Sequence, residues 1–182
     1  MSKINKQRNK ITKNPTPNKR NLFIGIVTVV LIGAFFILYV IQPTGEEEIV
    51  TEYFFKKEGE LVITDSMGVE KIKIDIEIAD TYYERSLGLM LRSKMELNQG
   101  MLFIFPVEEM QSFWMRNTRI SLDIMFINSK FEIINIHRNT RTMSDQSYPS
   151  EKPAQFVLET IAGFSDIYKI EPGDRVNWVR TQ

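Results

Sequence analysis

Val69 to Asp80 reads VEKIKIDIEIAD. Ile72, Ile74, Ile76 and Ile78 alternate with Lys73, Asp75 and Glu77. Successive side chains of a strand point to opposite faces, so this period-two pattern predicts a β-strand. The isoleucines take a buried face, while Asp75 and Glu77 take a wet one. Just upstream, Asp65-Ser66-Met67-Gly68 reads as a turn and Leu61 to Thr64 (LVIT) as a second strand. The two strands close a hairpin.

Downstream, Asp80 or Thr81 caps a short helix running through Leu89, with Glu84 placed three residues after Thr81 as in a capping box. Gly88 in that helix implies a strand crossing close by. Gly100 to Phe105 (GMLFIF) is a continuous apolar run, read as a strand buried on both faces and stopped by Pro106. Phe113 to Met115, Leu122 to Ile127 (LDIMFI), Phe131 to His137 (FEIINIH), Gln155 to Thr160 (QFVLET) and Arg175 to Val179 read as further strands. Arg138 to Lys152 is polar and reads as a loop, and Ala162 to Tyr168 as one or two helical turns. The expected fold is mostly β: a compact β-sandwich or barrel of seven to eight short strands with two short helices, preceded by one transmembrane helix.

That helix is Leu22 to Ile41, LFIGIVTVVLIGAFFILYVI, which carries no charge. At about 1.5 Å per residue it spans the roughly 30 Å hydrocarbon core of a bilayer. A cleaved signal peptide is the competing reading. Its apolar region is roughly 7–15 residues long and ends in small residues, whereas this run is longer and ends Val40-Ile41-Gln42-Pro43. Residues 1–21 hold seven Lys or Arg and no acid, and Glu46, Glu47 and Glu48 follow the apolar run. The positive-inside rule therefore puts the N-terminus in the cytoplasm. The expected organisation is a disordered basic tail (1–21), a transmembrane helix in contact with membrane lipid (22–41), an acidic linker (42–50) and a periplasmic or extracellular β domain (51–182).

From residue 43 onward the net charge is near −7. This argues against nucleic acid as a partner, since phosphate neutralisation supplies most of that affinity. With no Cys in the chain, disulfides, thiolate metal sites and Cys nucleophiles are excluded. Gly-rich phosphate loops, H-E-x-x-H and G-x-S-x-G are absent as well.

Several segments fall in a distinctive order: ERSLGLMLR (Glu84–Arg92), GMLFIF (Gly100–Phe105), SFWMRNT (Ser112–Thr118), ISLDIMFI (Ile120–Ile127) and VLET with Gly163, ending in EPGDRV (Glu171–Val176). Together they resemble domain-of-unknown-function family 192, a bacterial and archaeal group, over about residues 70–179. The family usually has Pro where Ser121 stands and often Lys where Arg116 stands. The resemblance implies a compact β-sandwich or barrel and a secreted or membrane-anchored setting. It implies no activity.

The most site-like cluster is Trp114, Arg116, Asn117, Arg119 and Asp123. An aromatic ring beside a guanidinium and an amide can cover one face of a ligand and fix its orientation. The competing structural reading makes Trp114 and Met115 core and Asn117-Thr118 a turn. Glu84 and Arg85 are secondary candidates, although Glu84 also suits a helix first turn. Glu159, like Asp123, is a carboxylate that interrupts an apolar strand, and the two could form an acid/base pair. The single His137 cannot build a multi-histidine metal site. The methionines between Met90 and Met143 suit Cu(I) chemically but read more simply as core fillers. No cofactor or metal is expected.

Three functions remain. The preferred one is a non-catalytic, monomeric binding module for a polar small molecule, a glycan or another envelope protein, gripped around Trp114. The second is an envelope hydrolase or lyase using Asp123, Glu159 or Glu84. The third is a protein-interaction domain without a pocket.

Overall fold

The computed structural model describes residues 18–40 and 54–181. The expected tail therefore lies outside the described residues except at its end, and the acidic linker lies outside them entirely. Helix α1 covers Lys19–Val40 and is long and apolar enough to cross a membrane, a description that a signal sequence also meets. Thr28, the one clearly polar side chain of the uncharged run from Leu22, donates from Oγ1 to Ile24 O at 2.9 Å and is satisfied by its own helix.

Residues 50–182 form a separate compact unit. Strands β1 (Gly59–Thr64) and β2 (Glu70–Ala79) pair antiparallel across the expected turn, with Leu61 opposite Ile74. Helix α2 (Tyr82–Leu87) then carries the chain to β3 (Gln99–Glu109), which runs parallel to β2. This is a crossover unit with the helix on the outer face. After β4 (Ser112–Met115) come β5 (Leu122–Ile127), β6 (Ile133–His137) and β7 (Ser144–Pro149). The chain finishes with β8 (Ala154–Ile161), helix α3 (Phe164–Ile167) and β9 (Arg175–Arg180).

Seven strands make one sheet in the order β6-β5-β8-β3-β2-β1-β9. Its two edges meet. Ile133 N donates to Asp174 O at 2.8 Å and Val176 N to Phe131 O at 2.9 Å, beside a bridge between Glu132 and Arg175. The sheet thus curls into a barrel. Strands β4 and β7 form a two-stranded ribbon of their own.

Alternation along each strand builds two cores. Leu61, Ile74, Ile76, Leu102, Met125 and Leu158 fill the interior with Phe164 of α3. Met101, Phe103, Ile124, Phe126 and Val157 point outward and are covered by Leu89, Met115 and Tyr148. Both faces of β5 are buried, Asp123 included, as are both faces of β3 from Gly100 to Phe103, within the run expected to be buried on both sides. Ile74 and Ile76 are buried as the alternation requires, and full burial of such a side chain contributes about 1.5–3 kcal/mol.

Four details depart from expectation. There are nine strands in the described residues rather than seven or eight. The extra one is β7, inside the segment read as a loop. It carries one apolar side chain that reaches the core, Tyr148, so no alternation advertises it. Strand β3 does not stop at Pro106. Its ladder with β8 breaks after Ile104 and resumes at Glu109, so Pro106 falls where no N–H is needed. Glu77 is not solvated: it points outward, but Arg92 folds over it with Nη2 2.7 Å from Oε2, and both are buried. The turn before Leu122, expected to be loosened because Ser121 stands where the resemblance leads to Pro, is instead held: Ser121 Oγ donates to Thr140 O at 2.7 Å.

Candidate functional site

The outer core is incompletely covered. Between α2 with its following turn and strands β3 and β4 lies a cavity of about 450 Å³. Its position follows from α2. Thr81 Oγ1 accepts from Glu84 N at 3.2 Å, and Glu84 Oε2 accepts from Thr81 N at 3.0 Å, completing the capping box. The bond from the Thr81 backbone N–H foremost, and one from the Thr81 hydroxyl to the same carboxyl, hold Glu84 below its ordinary range. Arg85 Nη1 donates to Ile104 O at 2.9 Å and to Asp80 O, lashing the helix to the end of β3. Gly88 has φ +47°, and a Cβ there would lie 3.2 Å from Phe103 Cζ. Only glycine lets the backbone press so close in that conformation, and Leu89 then turns into the core.

The walls are Leu87, Leu89 and Met90 on one side and Phe103, Phe105 and Phe113 on the other, with Trp114 among the lining residues. Among the lining residues is Glu159 of β8, 4% exposed. Among the described residues no donor or cation pairs with its carboxyl, and burial pushes that group up to about 8. Gln111 also lines the cavity, and its buried Nε2 has no hydrogen-bond partner there. Two polar groups of a mainly apolar cavity are thus left unsatisfied by the protein, which is how a ligand site differs from a packing defect.

The expected cluster is divided by this geometry. Trp114 is 48% exposed while Met115 is fully buried, so the two do not share a core face. The Arg116 guanidinium lies 4.0 Å from the Trp114 ring centroid, and its Nε pairs with Asp145 at 2.7 Å. Arg116 therefore braces the ring and does not line the cavity. Asn117 adopts φ +56° in the turn, and its carbonyl accepts from Leu91 N at 2.9 Å, tying β4 to the segment after α2. Arg119 is exposed and outside the cavity.

Asp123 and Glu159 are not brought together. Ile124 stands opposite Glu159, and Asp123 opposite Thr160, so the two carboxyls lie on opposite faces of the barrel wall. Asp123 is fully buried at one end of the interior and accepts from the backbone N–H groups of Asn139, Gly163 and Ser165. It anchors the loop into α3. With Glu84 held in its cap, the acid/base arrangement read from the sequence has no geometric counterpart.

A family model described as an uncharacterized ACR, DUF192, matches residues 62–178. The chain belongs to the DUF192 family. Curated UPF0127 proteins from Pyrococcus abyssi and Pyrococcus furiosus are 29% and 28% identical to it, covering 65% and 61% of this chain and 97% and 92% of their own. A crystal structure from Sinorhizobium meliloti, described provisionally as a transcription regulator, superposes with a TM-score of 0.65 at 33% identity. It covers 70% of this chain and 97% of its own. In DUF192 terms, the motif ERSLGLMLR supplies the cavity's helix side, and SFWMRNT and GMLFIF supply its aromatic side. Gln111 and the wall residues Met90, Phe105 and Phe113 were not legible as site residues. The wall residues are ordinary core types and Gln111 an ordinary loop type, and their convergence depends on the crossover bringing α2 over β3.

Proposed function

We propose that this DUF192 chain is a membrane-anchored, non-catalytic binding protein. Its β domain takes a small molecule with an apolar body and one polar end into the cavity beside Trp114. The observation that carries this reading is the unpaired Glu159 carboxyl facing an aromatic-walled cavity. Support for a non-catalytic role comes from the serine and threonine hydroxyls that line it. Ser86 Oγ donates to Tyr82 O at 2.8 Å, Ser112 Oγ bonds Ser147 Oγ at 2.7 Å, and Thr118 Oγ1 donates to Arg116 O. No histidine lies beside them to activate a nucleophile. The apolar α1 and the charge asymmetry around it support an anchor with the domain outside the cytoplasm. The net charge near −7 of the outer segment favours a small-molecule ligand over nucleic acid and suits a monomer.

Trp114 supplies the test. Small aromatic fragments screened against the domain should shift the methyl signal of Met90 and the indole signal of Trp114. Trp114→Ala should abolish those shifts yet leave the melting temperature within a few degrees, because the ring is half exposed. A screen in which nothing moves Met90, or a melt lowered by more than about 10 °C, would defeat this reading.

A further inference from the structure

We infer that the ligand is an organic amine, its cationic head received by Glu159 and its apolar body by the aromatic walls around Phe103, Phe105 and Phe113. This rests on the binding reading above and adds the ligand's chemical class. A carboxyl buried with neither donor nor counter-charge lacks the partner that a protonated amine supplies, namely several N–H donors and a positive charge at one atom. Aromatic walls favour cations a second time, through the negative faces of their rings, and most strongly where water is excluded.

The charges around the cavity agree. From α2, Arg85 and Tyr82 line it, but the Arg85 guanidinium is tied to two carbonyls and stands 5.3 Å from the Phe105 ring centroid. From β3 comes Glu109, a second carboxyl, and β4 contributes no charged group. On β5 the residue opposite Glu159 is the apolar Ile124. Further along the same sheet face, Glu77 of β2 is already paired with Arg92. No cation in this set is free to take the amine's place at Glu159. An anionic ligand would meet two carboxyls against one committed arginine.

Binding is then an exchange. In the empty cavity the Glu159 carboxyl holds its proton at neutral pH. When the ammonium arrives the carboxyl ionises, the proton passes to solvent, and the ion pair replaces the O–H bond. Apparent affinity for an ammonium should therefore rise by about tenfold per pH unit up to pH 8 and level off above it. A neutral analogue shows no such rise.

The barrel unit can be tested alone. Both its cores are drawn from residues 61–178, and the crystallised S. meliloti chain aligns with this one over 97% of its own length. Residues 54–182 are titrated with 2-phenylethylamine, 2-phenylethanol and 3-phenylpropanoate, following the Met90 methyl signal and, by calorimetry in two buffers, the protons released. The expected result is that the amine binds at least about tenfold more tightly than the alcohol, the carboxylate not at all, and close to one proton leaves per amine bound well below pH 8. Glu159→Gln should bring amine and alcohol to equal affinity. The proton count on the unaltered protein stands even if that variant folds poorly. Alcohol or carboxylate binding as well as the amine, or amine binding without proton release, overturns the inference and leaves the cavity reading standing. If no probe moves Met90 in this titration and the fragment screen is also silent, both fall.

Discussion

At the floor of the cavity, the Glu159 carboxyl makes the stability of the empty domain depend on pH. Unfolding returns the group to its ordinary value near 4.5, whereas in the folded chain it sits at about 8. Between those values the folded state binds the extra proton, so stability falls as pH rises through the window. Below it the penalty is absent, and above it the penalty is constant. The slope is about 1.4 kcal/mol for every pH unit. Thermal melts of residues 54–182 between pH 4.5 and 8.5 should show this fall, and Glu159→Gln should flatten it. An equal slope in the variant would assign the pH dependence elsewhere. The sequence marks Glu159 as odd because a carboxylate interrupts an apolar strand. It cannot reveal which face Glu159 takes relative to Asp123. A one-residue change of register swaps every side chain between faces, and that register is set only when β5 and β8 pair.

Among the elements, α2 is short and bears the site's geometry. Six residues cannot sustain a helix alone, so its cap and the Arg85 bonds to Ile104 O of β3 and to Asp80 O hold it. Thr81→Ala removes the side-chain half of the capping box and should lower stability by about 1 kcal/mol, while weakening fragment binding by more than that loss accounts for. Gly88→Ala should cost about 2 kcal/mol or more, since it adds both a strained φ and a clash with Phe103. Denaturant melts of the two variants check both, and a Gly88→Ala protein as stable as the parent would show that the close approach is not tight. The capping box was legible because it is local, Thr81 and Glu84 standing three residues apart, and Gly88 was legible by its residue type although Phe103, which it approaches, comes later in the chain. Strand β7 was hidden because its stability comes from pairing with β4, and only Tyr148 marks its buried side. The isoleucine ladder of β2 was read correctly as a strand, but the burial of Glu77 depended on Arg92, fifteen residues away, folding over it.

For the whole molecule, the test concerns orientation. Seven basic residues precede the apolar run that starts at Leu22 and three glutamates follow it, so protease added to cells with any outer membrane permeabilised should digest the β domain and spare the tail. A domain protected until the cytoplasmic membrane is broken would reverse the topology. The overall class was legible because alternation, turns and one long uncharged run are composition-level signals. Barrel closure was not, because it depends on a handful of backbone bonds between Phe131–Ile133 and Gly173–Val176. One further property follows from the first and last strands in chain order. Gly59 of β1 stands opposite Arg180 of β9, and Thr181 N donates to Glu58 O at 2.9 Å. The backbone thus enters and leaves the barrel at a single point. A short loop can join those two ends and new termini can be cut at the exposed Ser66–Gly68 tip, giving a circular permutant whose cavity is untouched. By the same geometry the domain can be spliced as a cassette into a loop of a host protein without prising that loop apart.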